Sequence, residues 1–532
     1  MTNSTNNVYK FGYNTALFVR TLLSTCNEYI FEKEKVAISE IVWYVAKFPS
    51  RYKKWWIQLL EDDPLHVVIE TILIVFVVYI VLIKRWKDDW RENSSSNGEV
   101  ALSEKEKEDL VREWKPAPLA PELTKEEEEE EQQNKIIISK VDGSKVTIEG
   151  REGTVLNFAS HDFLGLGSSQ PTLKDVSKEA LKKYGCGSCG PRGFYGTTDV
   201  HLHLEETFSS FCKTESAILY SDGASTVTSA IAAFAKRGDL LVVDEGVYDP
   251  IQTGVMLSRA NVLFYKHNDM DDLRRVLLHV KETDAKIGRK PSEQRRFIVA
   301  EALYKHHGHI TPLDKVVELK NEFSYRLILD ESFSFGSLGP TGRGVVELYG
   351  KDIMKDVEIV TISLENSIAS IGGICVGTLE VVDHQRLSGA GYCFSASSPP
   401  FLASAAIQSL SLLKEEPHLI KTLHHNIHML REAITNSLPQ LMITSDKLSP
   451  LIFLRLVNTS SMTEDEESSI LKRIVDQCLQ YGVMIVLAAN YNETHFKLIP
   501  PPCIQITITA AHSEYDIQML VDSMKKTLTD VL

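Results

Sequence analysis

Two hydrophobic patterns divide the chain. Thr71 to Ile83 carry no charge, and only His66 and Glu70 interrupt the turn before them. At about 1.5 Å per residue, nineteen helical residues span roughly 30 Å, one hydrocarbon core. Asp62, Asp63 and Pro64 precede this run, and Lys84, Arg85, Trp86 and Lys87 close it. The pattern predicts a transmembrane helix over 65–84. Three basic residues before it (Arg51, Lys53, Lys54) and four after it (Lys84, Arg85, Lys87, Arg91) favour a cytosolic C-terminal side. In the preceding segment, 1–64, Trp43, Tyr44, Phe48, Tyr52, Trp55 and Trp56 alternate with Lys47, Arg51, Lys53 and Lys54. Aromatic and basic residues together suit a membrane interface. No signal peptide is expected, because Met1 to Asn7 carry no basic charge.

A second pattern begins at 136. Short apolar runs read as strands at 136–138 and 145–148 (a hairpin), then at 217–220, 240–243, 262–265, 297–300 and 327–329. Amphipathic helices separate them, among them 226–236 and 313–323. This alternation predicts a largely parallel sheet with helices on both faces, an α/β domain over 136–410. After 410 the pattern changes. Helices at 420–437 and 463–481 flank strands at 451–456, 484–486 and 504–509, as in a smaller α+β domain over 411–532. Residues 85–135, with Pro116, Pro118, Pro121 and the run Glu126 to Glu131, form an acidic linker.

Composition changes this picture little. The chain has 532 residues and a net charge of −15, six of the negatives lying in the linker run. No basic patch suggests nucleic acid. Eight scattered cysteines are too few for a disulfide framework and fit a reducing compartment.

Several stretches carry candidate chemistry. Cys186-Gly-Ser-Cys189 has redox spacing, but it sits in a glycine-rich run to Gly196 rather than at a helix start. Those glycines allow close backbone approach, and Arg192 offers a fork to an anion. His306-His-Gly-His309 and His201-Leu-His203 lack further ligands at metal spacing, so no metal is expected. Asp330 ends an apolar run, where a carboxylate can pair with a ring nitrogen or cap the next turn. Ser363-Leu-Glu-Asn-Ser-Ile-Ala-Ser-Ile-Gly-Gly373 joins two apolar runs through a polar turn with neither lysine nor histidine.

Together these stretches resemble the α-oxoamine synthases, pyridoxal-phosphate (PLP) enzymes that join an amino acid to an acyl thioester. Asn157-Phe-Ala-Ser-His-Asp-Phe-Leu-Gly-Leu, the glycine run continuing to His203-Leu-Glu205, Asp330 to Gly336 and Thr509-Ala-Ala-His512 match the family's motifs in order. The resemblance implies a fold-type I PLP-transferase architecture. It also exposes losses. The Schiff-base lysine falls on Asn366, the ring-stacking histidine on Tyr248, and the motif histidine after Asp330 on Phe333. The arginines before the C-terminal motif fall on Cys503 and Gln505. Asp330 alone is kept, so Tyr248, Asp330 and Phe333 read as vestigial cofactor positions. An amide cannot form an imine.

Gly190 to Thr197, Phe394 to Pro400 and Ser363 to Asn366 look very close to the family's non-catalytic, membrane-anchored subunits. That resemblance implies an obligate heterodimer with a lysine-bearing partner that holds the PLP, condensing L-serine with palmitoyl-CoA at the endoplasmic reticulum. It places Cys189, Gly190, Arg192, Phe194, Tyr195, Ser395 and Ser397 at the interface, the two serines near the partner's cofactor phosphate. Two other readings stay open: a self-sufficient enzyme using Lys305 or Lys266, and a purely regulatory membrane scaffold.

Overall fold

The computed structural model describes Leu73 and residues 76–80, 104–116, 118, 123–125, 135–188, 190–457, 462–488 and 497–532. The chain separates into two compact units, 1–124 and 125–532. In the first, residues 76–80 are helical and exposed, and a polar helix runs over Glu104–Glu113. Among the described residues no helix is long and apolar enough to cross a membrane. Apart from Leu73 and 76–80, the transmembrane segment expected at 65–84 and the interfacial segment 1–64 lie outside the described residues.

The second unit opens with β1 (Ile138–Asp142), β2 (Lys145–Ile148) and β3 (Val155–Asn157), successive antiparallel neighbours. The hairpin forms, but its first arm lies two residues later than expected. Gly143, at φ +59°, sets a two-residue turn between the paired Asp142 and Lys145, and the turn fixes the strand ends.

Seven strands build the central sheet: β4 (Ser216–Tyr220), β5 (Leu240–Asp244), β6 (Asn261–Tyr265), β7 (Arg296–Glu301), β8 (Arg326–Asp330), β9 (Ile359–Ser363) and β10 (Gly373–Gly377). Their order is β4-β10-β9-β8-β7-β5-β6. Strands β5 to β9 are mutually parallel, and β10 runs antiparallel to both its neighbours. Every residue of β5, β7, β9 and β10 is buried. Their sequences therefore run apolar without alternation, as in a sheet covered on both faces. Apart from Thr361 inside β9, the polar residues stand at the strand ends. Asp244, Glu301, Asp330 and Ser363 close β5, β7, β8 and β9 and so gather along one edge of the sheet, where α/β folds carry their sites.

After the helices Pro400–Glu415 and His418–Ser437 come β11 (Leu441–Ile443), β12 (Leu451–Leu456), β13 (Val483–Met484), β14 (Val486–Ala488) and β15 (Cys503–Thr507). Strands β11, β12, β15 and β14 form an antiparallel sheet in that order. The single strand expected at 484–486 is two. β13 joins β3 in the first sheet, Ile485 turns the chain, and β14 joins β15. Helices Glu464–Gln480 and Glu514–Val531 each start with a capping box, Thr463 with Glu466 and Ser513 with Asp516. One hydrophobic core runs from Leu156 through the central sheet to Leu528.

Candidate functional site

The turn between β9 and β10 is closed by Leu364 N–H donating to Gly372 O (2.9 Å) and Ser370 N–H donating to Leu364 O (3.1 Å). Inside it, Asn366 is buried. Its side-chain amide donates to Ser332 O at 2.8 Å, and its backbone carbonyl accepts Phe163 N–H at 2.9 Å. Asp330 lies beside it, fully enclosed. Oδ1 accepts from Ser332 N–H (3.1 Å) and the Tyr248 hydroxyl (3.4 Å). Oδ2 accepts from the hydroxyls of Ser332 (3.1 Å) and Thr361 (2.6 Å). Burial lifts Asp330 to about 6 against the pull of these donors. The Tyr248 backbone N–H is held by Glu301 at 2.7 Å, and its ring meets Phe333 edge-on at 6.0 Å. Phe333 in turn meets His161 edge-on at 5.4 Å. His161 accepts from the Gln505 amide at 3.0 Å, and burial drops its pKa to about 4. Lys305 is the amine at this pocket, its Nζ 6.0 Å from the Tyr248 ring centroid, whereas Lys266 is exposed beyond β6.

These residues do not fit PLP. Position 366 offers no amine. Donors of this chain already occupy both Asp330 oxygens, and a phenol and a phenyl ring stand where the family resemblance places imidazoles. Cys503 is buried with its thiol toward Ala488 O, so neither it nor Gln505 presents a cation to a carboxylate.

The glycine-rich loop has an inward base and an outward tip. Arg192 is buried, NH1 lying 3.0 Å from Glu205 Oε1, with the two side chains 3% and 7% exposed. Its Nε donates to Thr197 Oγ1 at 3.0 Å, and its guanidinium lies 5.5 Å from the Tyr392 ring. Glu205 Oε1 also accepts Leu219 N–H, tying the loop to β4. One arm of the fork expected to face an anion is taken by this internal ion pair, while Nη2 is buried without a hydrogen-bond partner among the described residues. At the tip, Phe194 is 66% and Tyr195 99% exposed, with Tyr195 at φ +67°. Gly190 O accepts Ser397 N–H at 2.9 Å, which fastens the loop to the segment bearing Phe394, 85% exposed. Gly196 packs so closely on Gly190 O that a side chain there would collide. Ser397 is buried and Ser395 half-buried. Cys189 lies outside the described residues, and Cys186 is exposed and free.

The family's opening and closing motifs meet. The His512 ring stacks on Phe158 at 4.0 Å, accepts Thr509 N–H at Nδ1, and donates from Nε2 to Asn157 O. Burial brings His512 to about 4, so it holds the fold as a neutral ring. His201 likewise caps its own helix and donates to Ser398 O at 2.7 Å, while His203 is exposed. Sequence spacing missed three features. Ser332 and Thr361 saturate Asp330, Glu205 neutralises Arg192, and His267 joins His307 and His309. Only Thr361 had a local signal, as a polar residue inside a buried strand.

A seven-stranded, mostly parallel sheet with its last strand reversed, a smaller C-terminal sheet and a carboxylate at the end of β8 define the PLP-dependent transferase class. The model of the aminotransferase class I and II family matches residues 153–524. Serine palmitoyltransferase 1 of Dictyostelium discoideum is 41% identical over 87% of this chain and 94% of its own length. Long chain base biosynthesis protein 1 of Arabidopsis thaliana is 38% identical over 88% and 92%. A solved structure of SPT with its PLP internal aldimine superposes with TM-score 0.66 at 23% identity, covering 75% of this chain and 93% of that one. The chain belongs to the aminotransferase class I and II family and, within it, to the serine palmitoyltransferase 1 group.

Proposed function

We propose that this chain is the lysine-less subunit of serine palmitoyltransferase, the enzyme of the first step of sphingolipid biosynthesis. With catalytic subunit 2 as its partner it condenses L-serine with palmitoyl-CoA to 3-ketosphinganine, CO2 and CoA. PLP sits on the partner. This chain supplies a wall of the shared active site through its 190–196 loop and the 394–398 segment. It anchors the complex, as a single-pass protein with its catalytic fold facing the cytosol, at the endoplasmic reticulum membrane through 65–84. Small membrane subunits and regulators are further partners of such a complex. No metal takes part in the condensation itself.

The observation that carries this reading is Asn366, an amide at the lysine position, tied to Ser332 O beside an Asp330 already saturated by this chain's own donors. The test is the absorbance spectrum and serine–palmitoyl-CoA turnover of this chain alone and with a lysine-bearing partner. An imine band and turnover appearing only in the pair are the expected result. A band from the single chain would overturn it.

One observation favours a second reading, a self-sufficient enzyme. The Lys305 ammonium lies over the Tyr248 ring, at the pocket that Asn366 closes. Borohydride reduction of the single chain incubated with PLP, followed by peptide mass spectrometry, decides it: a pyridoxyl adduct on Lys305 together with turnover would replace the inert-subunit reading. A scaffold with no part in the partner's chemistry instead predicts normal turnover from heterodimers altered in the 190–196 loop.

A further inference from the structure

A histidine and a pair of histidines remote from it in sequence meet where β5, β6 and β7 end. His267 follows β6, and His307 and His309 lie in the loop after β7. One ligand nitrogen from each lies within 4.8 Å of the others. The rings are stacked, His267 lying 4.6 Å from His307 and 5.2 Å from His309.

Proton accounting shows what the cluster lacks. Asp244 Oδ1 accepts Gly246 N–H at 2.8 Å and Oδ2 accepts Asn268 N–H at 2.9 Å, so both oxygens act as acceptors. His267 Nδ1, 2.8 Å from Oδ1, is therefore the donor. His309 Nε2 lies 3.0 Å from the carbonyl of Thr444, which can only accept, so this nitrogen also carries its proton. A neutral imidazole has one N–H and one lone pair. The two nitrogens left over, His267 Nε2 and His309 Nδ1, face each other at 3.0 Å with a lone pair each. Two acceptors cannot bond to one another. A proton on one ring would satisfy this pair alone, whereas a cation bound off the line between them engages both lone pairs and also takes the nitrogen of His307, which lies in the same cluster. The His307 ring stacks on both others, 4.6 Å from His267 and 5.8 Å from His309, which brings its nitrogen to the same point.

We propose that His267, His307 and His309 bind a divalent transition-metal ion of the zinc class. Zinc–nitrogen bonds of about 2.0–2.1 Å set tetrahedral neighbours roughly 3.3 Å apart, a few tenths beyond the observed pair. Asp244 and the Thr444 carbonyl hold two of the ligands from behind, the arrangement in which a histidine's second nitrogen is fixed by a carboxylate or a backbone oxygen. Gly246 leaves the room the His267 ring needs, since a Cβ there would stand 2.6 Å from its Nδ1. Three protein ligands leave the fourth position to water.

The site also has a mechanical consequence. Thr444 belongs to the C-terminal part of the chain, and Asp446 beside it pins the same loop, accepting Ile310 N–H at 2.6 Å and donating from its own N–H to Gly308 O at 3.0 Å. The ion thus ties the segment after β11 to the edge of the central sheet.

The test uses the full chain in detergent, purified on a histidine-free tag, stripped with chelator and titrated with Co2+ and then Zn2+. One Co2+ per chain with the visible ligand-field bands of a four-coordinate ion, bleached by Zn2+, is the expected result. His307→Gln with His309→Gln lowers the affinity by more than about a hundredfold, and Asp244→Asn by about 10- to 100-fold. His425→Gln with His428→Gln, on an exposed helical face, leaves it unchanged. Where the double ligand variant fails to fold, His307→Gln alone serves. Absence of the bands at stoichiometric Co2+, or equal binding by the ligand variants, overturns the site.

Discussion

The pocket around Asp330 and the loop from Gly190 to Gly196 dispose of their polar and apolar groups in opposite ways. In the pocket the polar groups have closed on one another: Asp330 on Ser332, Thr361 and Tyr248, and Asn366 on Ser332 O. The loop keeps Phe194 and Tyr195 in solvent at a cost in backbone conformation, with Phe394 exposed on the segment fastened to it. A group left unsatisfied in a buried site costs free energy, so a pocket that no longer holds a ligand is expected to close. An exposed aromatic surface costs little in a lone chain and gains its return from a partner. On the proposed reading, the pocket has given up its chemistry and the loop serves as a surface.

The largest expected effect tests the loop's base. Glu205→Ala leaves Arg192 buried without its counter-charge and removes the acceptor of Leu219 N–H. Breaking a buried pair from one side costs about 3–5 kcal/mol. Denaturant unfolding of the variant should show that loss. A neutral result would mean that the Arg192 fork is free to serve an anion, as the sequence alone suggested.

Next comes the closed pocket. Burial raises Asp330 from 3.8 to about 6 in the folded chain. The folded state then binds more protons than the unfolded one between those values, so the Asp330 contribution is fully present below pH 4 and lost as pH rises through 6. The neutral rings of His161 and His512, both lowered to about 4, act in the opposite sense over pH 4 to 6.5. The difference between Asp330→Asn and the parent isolates the carboxylate. It should move in favour of the variant by about 2.4 kcal/mol between pH 4 and 7. A flat difference would mean that Asp330 is ionised in the fold, as a carboxylate serving a ring nitrogen has to be.

The sequence made the sheet legible because its strands are buried on both faces and read as unbroken apolar runs. It also placed Asn366, Tyr248, Phe333 and Asp330 at one site, because long motifs fix the register of a fold. It could not show how those side chains are partnered. The donors to Asp330 come from β9 as well as from the turn after β8. Glu205, which holds Arg192, lies in a helix thirteen residues further on; the motif through His203-Leu-Glu205 includes it, but nothing there says that its carboxylate turns back to the guanidinium. The third histidine, His267, lies far earlier in the chain than the pair it joins, at the end of a different strand. The split at Ile485 was hidden for a related reason, since an apolar run does not state which sheet each half will join.

The outward surface gives the smaller effects. Phe394→Ala removes an exposed ring, so the single chain should unfold as before. Its affinity for a lysine-bearing partner should fall about 30-fold, near 2 kcal/mol, in a pull-down titration. Equal affinity would place the interface elsewhere.

Tyr195 gives the finest distinction, because one substitution should move two measurements in opposite directions. A non-glycine residue in the left-handed region pays roughly 1 kcal/mol that glycine does not. Tyr195→Gly should therefore stabilise the isolated chain by up to about 1 kcal/mol, less the entropy that glycine loses on folding. The same change removes a fully exposed ring from the proposed interface and should weaken the heterodimer. A strained conformation that presents a fully exposed ring is a reason to test whether that ring is used. If the variant gained stability without losing partner affinity, the strain at Tyr195 would have no counterpart at the interface, and the contrast between pocket and loop would rest on Phe194 and Phe394 alone.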